Sequence, residues 1–222
     1  MILKNYMCII PNAFTEQEVE TLKSVAKGSE EQVAMVGDPN TGGADDKNIR
    51  SGNVKWFTNH EYERKIPDLY KKIFQIVEDA NTQSNWNHQF EFIENLQYTI
   101  YNAPAKTKRK KGDFYTWHTD AGTEPLPNNK IRKLSLSVQL SDPDEYEGGH
   151  FQWLEPYNTL NVMGATGNMR VDMEPAVSSV PFSAKAKGSC IIFPSFVYHQ
   201  VTPVTRGTRE ALVGWFSGNQ YV

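Results

Sequence analysis

Hydrophobic positions repeat along this chain with two different periods. Val19, Leu22, Val25 and Ala26 recur at the three- and four-residue spacing of a helical face. Thr15-Glu16-Gln17-Glu18 stands ahead of them as a capping box, the threonine hydroxyl serving the third amide and Glu18 reaching back to the cap amide. Gly28 marks the far end. A second helical stretch is predicted over residues 59–80, with Leu69, Ile73, Ile76, Val77 and Ala80 on one face. Pro67 interrupts it and starts its main part, where a missing amide hydrogen does little harm.

From residue 90 onward the pattern is one of short strands: 90–102, 114–117, 134–140, 150–154, 189–193, 197–201 and 210–216. Runs at 6–10, 32–36 and 49–57 read as strands in the first part. Many short strands with Gly/Pro turns and no helices between them predict a mainly β sandwich or jelly roll with flanking helices. We read residues 1–222 as a single domain, with a helical and finger-loop part over 1–90 and a β core over 91–222. The tract 37–48, GDPNTGGADDKN, is polar and turn-forming and predicts a mobile finger. Residues 106–112 form a lysine-rich loop, and 155–187 read as a long hairpin with a flexible tip.

Composition changes this picture little. A net charge of −3 gives no global pull toward nucleic acid or a membrane surface. No run approaches the length of a membrane span, and the first residues lack a leader's apolar stretch. Two cysteines, Cys8 and Cys190, without a CxxC motif argue against a disulfide framework, so the expected setting is cytoplasmic. Five Trp, ten Tyr and eleven Phe suit strands and a lined pocket as well as an ordinary core.

Candidate chemistry sits at His118-Thr119-Asp120, at His199 and at Arg209. Two histidines and one carboxylate are the donor set of a non-haem Fe(II) that keeps open positions. Residues two apart on an extended chain point to the same side, so His118 and Asp120 can serve one ion together. The dense aromatic approach Tyr115-Thr116-Trp117 and the strand end before His199 strengthen a pattern that is short by itself; His60, His88 and His150 read as ordinary histidines. Arg209 opens the apolar strand 211–216, where an inward charge needs a partner, and its planar fork suits a carboxylate. Arg132 and Arg206 are its local competitors and rank lower. Leu134 to Leu140 alternates leucine or valine with Ser135, Ser137 and Gln139. Its polar face looks either to water or, as we favour, into a polar pocket where Gln139 would hydrogen-bond a cosubstrate. Iron with a carboxylate clamp implies an oxygenase that consumes a 2-oxo acid.

At these residues the chain resembles the prolyl 4-hydroxylase-like branch of the Fe(II)/2-oxoglutarate dioxygenases. The matching stretches are residues 115–120, Leu136 to Leu140 running into Ser141-Asp142-Pro143, Tyr146-Glu147-Gly148-Gly149-His150-Phe151, residues 188–194 and residues 198–209. The resemblance implies a double-stranded β-helix with the N-terminal helices packed on its major sheet. It implies Fe(II) on His118, Asp120 and His199, 2-oxoglutarate held by Arg209 with Tyr101, and ascorbate as reductant. Arg50, Tyr115 and Trp215 fall where relatives meet substrate. Asp120 favours hydroxylation, because halogenating relatives lack that carboxylate. A prolyl residue of a peptide or protein is the implied substrate, with succinate and CO2 released. A free amino acid or other small molecule is the alternative, as is a metal-binding cupin-like protein without oxygen chemistry. No basic stripe supports a nucleic-acid partner.

Overall fold

The structure is a computed structural model. It describes residues 5–37, 43–107, 110–122, 124–155, 160–163, 169–172 and 176–221. In chain order the strands are β1 (Cys8–Ile10), β2 (Glu31–Val33), β3 (Arg50–Ser51), β4 (Asn53–Phe57), β5 (Phe92–Ile93), β6 (Leu96–Asn102), β7 (Phe114–His118) and β8 (Lys130–Gln139). They continue as β9 (Tyr146–Gly148), β10 (Phe151–Glu155), β11 (Leu160–Met163), β12 (Met169–Asp172), β13 (Ala176–Ser179), β14 (Cys190–Pro194), β15 (His199–Val201) and β16 (Val204–Asn219). The helices are α1 (Glu16–Lys27), α2 (Asn59–Lys65), α3 (Pro67–Gln83) and the single turn α4 (Pro104–Thr107).

Two antiparallel sheets face each other. The major one runs β1-β14-β8-β16-β6-β4-β2, and the minor one runs β13-β10-β15-β7-β3. This is the jelly-roll arrangement the strand pattern predicts, with the helices on the outer face of the major sheet. The Thr15 capping box forms as read, with Glu18 N donating to Thr15 Oγ1 at 3.2 Å. A second one, Thr58 with Glu61, starts α2, and Pro67 occupies the first turn of α3. Val19, Leu22, Ile73 and Val77 are fully buried in one cluster with Leu134, Leu136 and Val138 of β8 and with Leu140 just after it. The even positions of β8 therefore face the helices and the odd ones face the interior between the sheets. A second cluster, including Phe151, Phe193, Val201 and Val204, fills part of that interior.

Several predicted boundaries shift. The run 49–57 is not one strand, because Gly52 divides it between sheets: β3 joins β7 in the minor sheet, and β4 joins β6 in the major one. Gly52 has φ +150°, and a Cβ there would lie 3.0 Å from the Ile100 carbonyl oxygen and 3.2 Å from the Tyr101 ring. Only glycine passes that gap. The run 32–36 shortens to β2, after which Val36 forms a bridge with Ala44. Residues 38–42 of the expected finger and 108–109 of the lysine loop lie outside the described residues, so the expected mobility stays with the sequence reading. The tract 155–187 does contain a hairpin, β11 with β12, followed by β13.

Candidate active site

The three expected metal ligands meet. β7 and β15 are antiparallel neighbours with His118 directly opposite His199, which brings their ring centroids to 4.2 Å. Asp120 lies just past the end of β7, in a turn pinned by its amide to the Ser195 carbonyl at 2.9 Å. Ser195 is itself tied to β8 through Ser135 Oγ at 2.9 Å. The Asp120 carboxylate oxygens lie 3.7 Å from His118 Nε2 and 3.8 Å from His199 Nε2. One ligand atom from each residue falls within 4.8 Å of the others.

Both rings are oriented for coordination. His118 Nδ1 donates to the Thr116 carbonyl at 2.7 Å and His199 Nδ1 to the Val197 carbonyl at 2.9 Å. Each carbonyl fixes the proton on Nδ1 and leaves the Nε2 lone pair free for a metal. Aromatic rings hold the planes: Tyr115 stacks on His118 at 3.5 Å and 13°, and Phe151 on His199 at 5.2 Å and 19°. Burial pushes the His199 pKa down to about 4, against the pull of Asp120. Burial alone would raise Asp120, but the adjacent His199 and His118 outweigh it and hold the carboxyl below the usual range. Neutral imidazole beside carboxylate is the protonation state that binds a divalent metal. The donor set and geometry fit Fe(II).

These ligands line a cavity of about 1440 Å³ between the sheets, and Arg209, Tyr101, Tyr115, Arg50 and Trp215 line it too. Arg209 pairs in register with Tyr101 on the adjacent β6. Only 3 % exposed, it joins none of the ion pairs among the described residues. Its approach depends on Gly149, where a Cβ would sit 2.8 Å from Arg209 Cδ. A buried guanidinium without a carboxylate is costly until a ligand supplies one.

Gln139 does not join this group. It is buried on the interior side of β8, but its amide donates to the Tyr146 hydroxyl at 2.8 Å, and it is not among the cavity-lining residues. Ser137 of the same strand does line the cavity. Trp215 and Arg50 each carry a buried donor, Nε1 and Nε respectively, with no partner. His60, His88 and His150 stay outside the metal cluster.

Arg132 is more than the low-ranked competitor of the sequence reading. It forms a bidentate pair with Glu94, the shortest contact being 2.7 Å, and stacks its guanidinium 4.0 Å from the Trp215 ring at the cavity wall. The register explains this. Leu134 pairs with Phe216 but Arg132 with Ser217, so Lys133 is skipped in a bulge. That bulge turns Arg132 from the helix side to the cavity side. Strict alternation places it on the wrong face. Arg206, the other competitor, is exposed and pairs with Glu147 at 2.8 Å.

The sequence profile of the 2OG-Fe(II) oxygenase superfamily matches residues 96–217, more than half of the chain, and spans every ligand just described. The chain belongs to the 2OG-Fe(II) oxygenase superfamily. Its implied cofactor and cosubstrate are Fe(II) and 2-oxoglutarate, which the ligand triad and Arg209 fit in kind and placement. A PKHD-type hydroxylase of Sphingopyxis alaskensis is 30% identical over 141 residues, covering 63% of this oxygenase and 53% of the relative. The chain thus spans about half the length of the curated relatives it matches. A Pseudomonas putida prolyl-4-hydroxylase shares the fold with TM-score 0.59 at 16% identity, covering 98% of this chain and 95% of that one. A Trichoplax adhaerens prolyl hydroxylase, solved with a hypoxia inducible factor peptide fragment, gives TM-score 0.60 at 18% identity over 96% and 84%. The double-stranded β-helix expected from the sequence is therefore the fold. The cupin-like alternative without oxygen chemistry falls with the family assignment. No helix among the described residues is long and apolar enough to cross a membrane.

Proposed function

We propose that this chain hydroxylates an unactivated C–H bond of a prolyl residue in a peptide or protein, consuming 2-oxoglutarate and O2 and releasing succinate and CO2. The observation that carries the proposal is the His118–Asp120–His199 cluster sharing one cavity with the buried Arg209, which has no ion-pair partner among the described residues. Bound Fe(II), with the 2-oxo acid and O2, supplies the oxidising chemistry; ascorbate is the reductant.

The protein's own part is orientation and exclusion of water. Arg209 would hold the distal carboxylate of the cosubstrate, for which its planar fork is suited, and Tyr101 packs beside it with its ring 5.9 Å from the guanidinium carbon. His118, Asp120 and His199 would hold the metal and line the same cavity. Tyr115, Arg50 and Trp215 also line that cavity and would receive the substrate. A peptide substrate is supported by the size of the cavity and by the peptide complex of the Trichoplax neighbour. The test is succinate release from 2-oxoglutarate with Fe(II) and a proline-peptide pool, with mass spectrometry of the peptides. Gain of one oxygen on proline in wild type, lost in His199→Ala, is the expected result. Turnover unaffected by His199→Ala or Arg209→Ala would remove the assignment.

A further inference from the structure

Three arginines and three carboxylates line the cavity: Arg50, Arg132 and Arg209, with Glu94, Asp120 and Glu124. Their charges do not pair off. Arg132 is neutralised by Glu94. A divalent metal and Arg209 would together be matched by Asp120 and the two carboxylates of the cosubstrate. Glu124 is exposed, where water screens it. Arg50 is left over.

Arg50 is 8 % exposed and forms no ion pair among the described residues. It is held in place by neutral partners. Nη1 donates to the Met35 carbonyl at 3.1 Å, Nη2 to the Gln97 amide oxygen at 2.7 Å, and its plane lies 4.6 Å from the Tyr115 ring. These contacts orient the guanidinium but, among the described residues, leave its charge without a carboxylate and Nε without a partner. A buried cation held this rigidly is a poor structural element, since an apolar side chain would fill the same volume without the desolvation cost. Its position explains it better. β3 brings Arg50 against Tyr115, which stacks on the ligand His118, so the charge stands one ring away from the metal ligands.

The geometry points to a substrate that carries a carboxylate close to the reacting carbon, and to Arg50 as the residue that selects it. The inference rests on the prolyl reading above and sharpens it: the target proline has an acidic neighbour or a free chain terminus. The α-carboxylate of a free amino acid is the limiting case of the same chemistry.

The test compares proline peptides carrying Asp or Asn at each flanking position, the same peptides with free-acid or amide C-termini, and free proline. Binding is measured by fluorescence anisotropy on the metal-free protein, and kcat/KM on the Fe(II) enzyme. Preference for the carboxylate form of about tenfold or more is expected in both measurements, as for a charge-assisted contact. Arg50→Gln abolishes the preference and Arg50→Lys retains part of it. Preference confined to one arm names the source: side chain, chain end or free amino acid. Asp and Asn, acid and amide, handled alike while proline is hydroxylated would overturn the inference and leave the prolyl reading standing. Absence of hydroxyproline in every arm would overturn both.

Discussion

The two faces of the major sheet are built from the same strands and differ in one respect: one is complete and the other is not. On the helix side Leu134, Leu136, Val138 and Leu140 meet α1 and α3 with no accessible surface left. Among the described residues the unpartnered buried polar atoms outside the cavity are the Tyr62 hydroxyl and His88 Nε2, the latter in the segment tied to Asn81 of α3. On the inner side, among the described residues, Arg209 and Arg50 are buried without a carboxylate, Trp215 Nε1 has no acceptor, and three ligand atoms lie within 4.8 Å of one another. The first face closes by packing alone. The second holds polar groups at a cost that only ligands offset. Incompleteness marks function here more sharply than burial does.

The largest effect that tests this contrast is removal of a ligand. His199→Ala should drop turnover below detection while the thermal midpoint of the metal-free protein stays put or rises, because a buried imidazole is relieved. A large fall in the midpoint would show that the triad is part of the structural core. Ile73→Ala probes the other face: it should cost about 2–5 kcal/mol of stability by denaturant titration, the usual range for emptying a core site. The KM for 2-oxoglutarate of its folded fraction should not change. Arg209→Ala should reverse that signature. It should raise the KM for 2-oxoglutarate by roughly a hundredfold, about 2.7 kcal/mol, with no loss of stability, since it deletes an unpaired buried charge.

The helix-side face was legible in the sequence because packing there follows simple periods. The capping box at Thr15, the stripe of α3 and the even positions of β8 all sit where their spacing puts them. The ligand triad was legible because its residue types are restrictive and because β7 and β15 pair without complication at His118 and His199. What escaped lies at interruptions of regular structure. A one-residue bulge at Lys133 moves Arg132 across the sheet, and Gly52 sends one apparent strand into two sheets, a division that the expected placement of Arg50 near substrate did not reveal. Gln139 has the right parity but a nearer partner in Tyr146, six residues past the end of any local pattern that could announce it. Periodicity reports which face a residue is on. It does not report which contact that residue prefers.

Tyr115 allows a finer test, because it belongs to the incomplete face yet makes a structural contact. Its ring lies 3.5 Å from that of His118, nearly parallel, and burial pushes its hydroxyl pKa up to about 12. Tyr115→Phe keeps the plate and should leave metal affinity intact. Tyr115→Ala frees the imidazole to rotate about its remaining tie to the Thr116 carbonyl. Affinity for Co(II), followed through its visible absorption, should then weaken by about tenfold, the lower end of what losing an orienting contact to a metal ligand costs. Equal affinity in both variants would mean that the carbonyl alone fixes His118.

The smallest effect belongs to the complete face. Thr15→Ala removes the hydroxyl that accepts from Glu18 N and should cost about 1 kcal/mol, the usual worth of such a cap. The helix it starts lays Val19 and Leu22 on the sheet, well away from the cavity lining. Co(II) affinity and the KM for 2-oxoglutarate should therefore both be unchanged. If either moved, the two faces would be coupled through the major sheet, and the separation drawn between packing and ligand binding would fail at its weakest perturbation, where additivity of distant sites is otherwise expected.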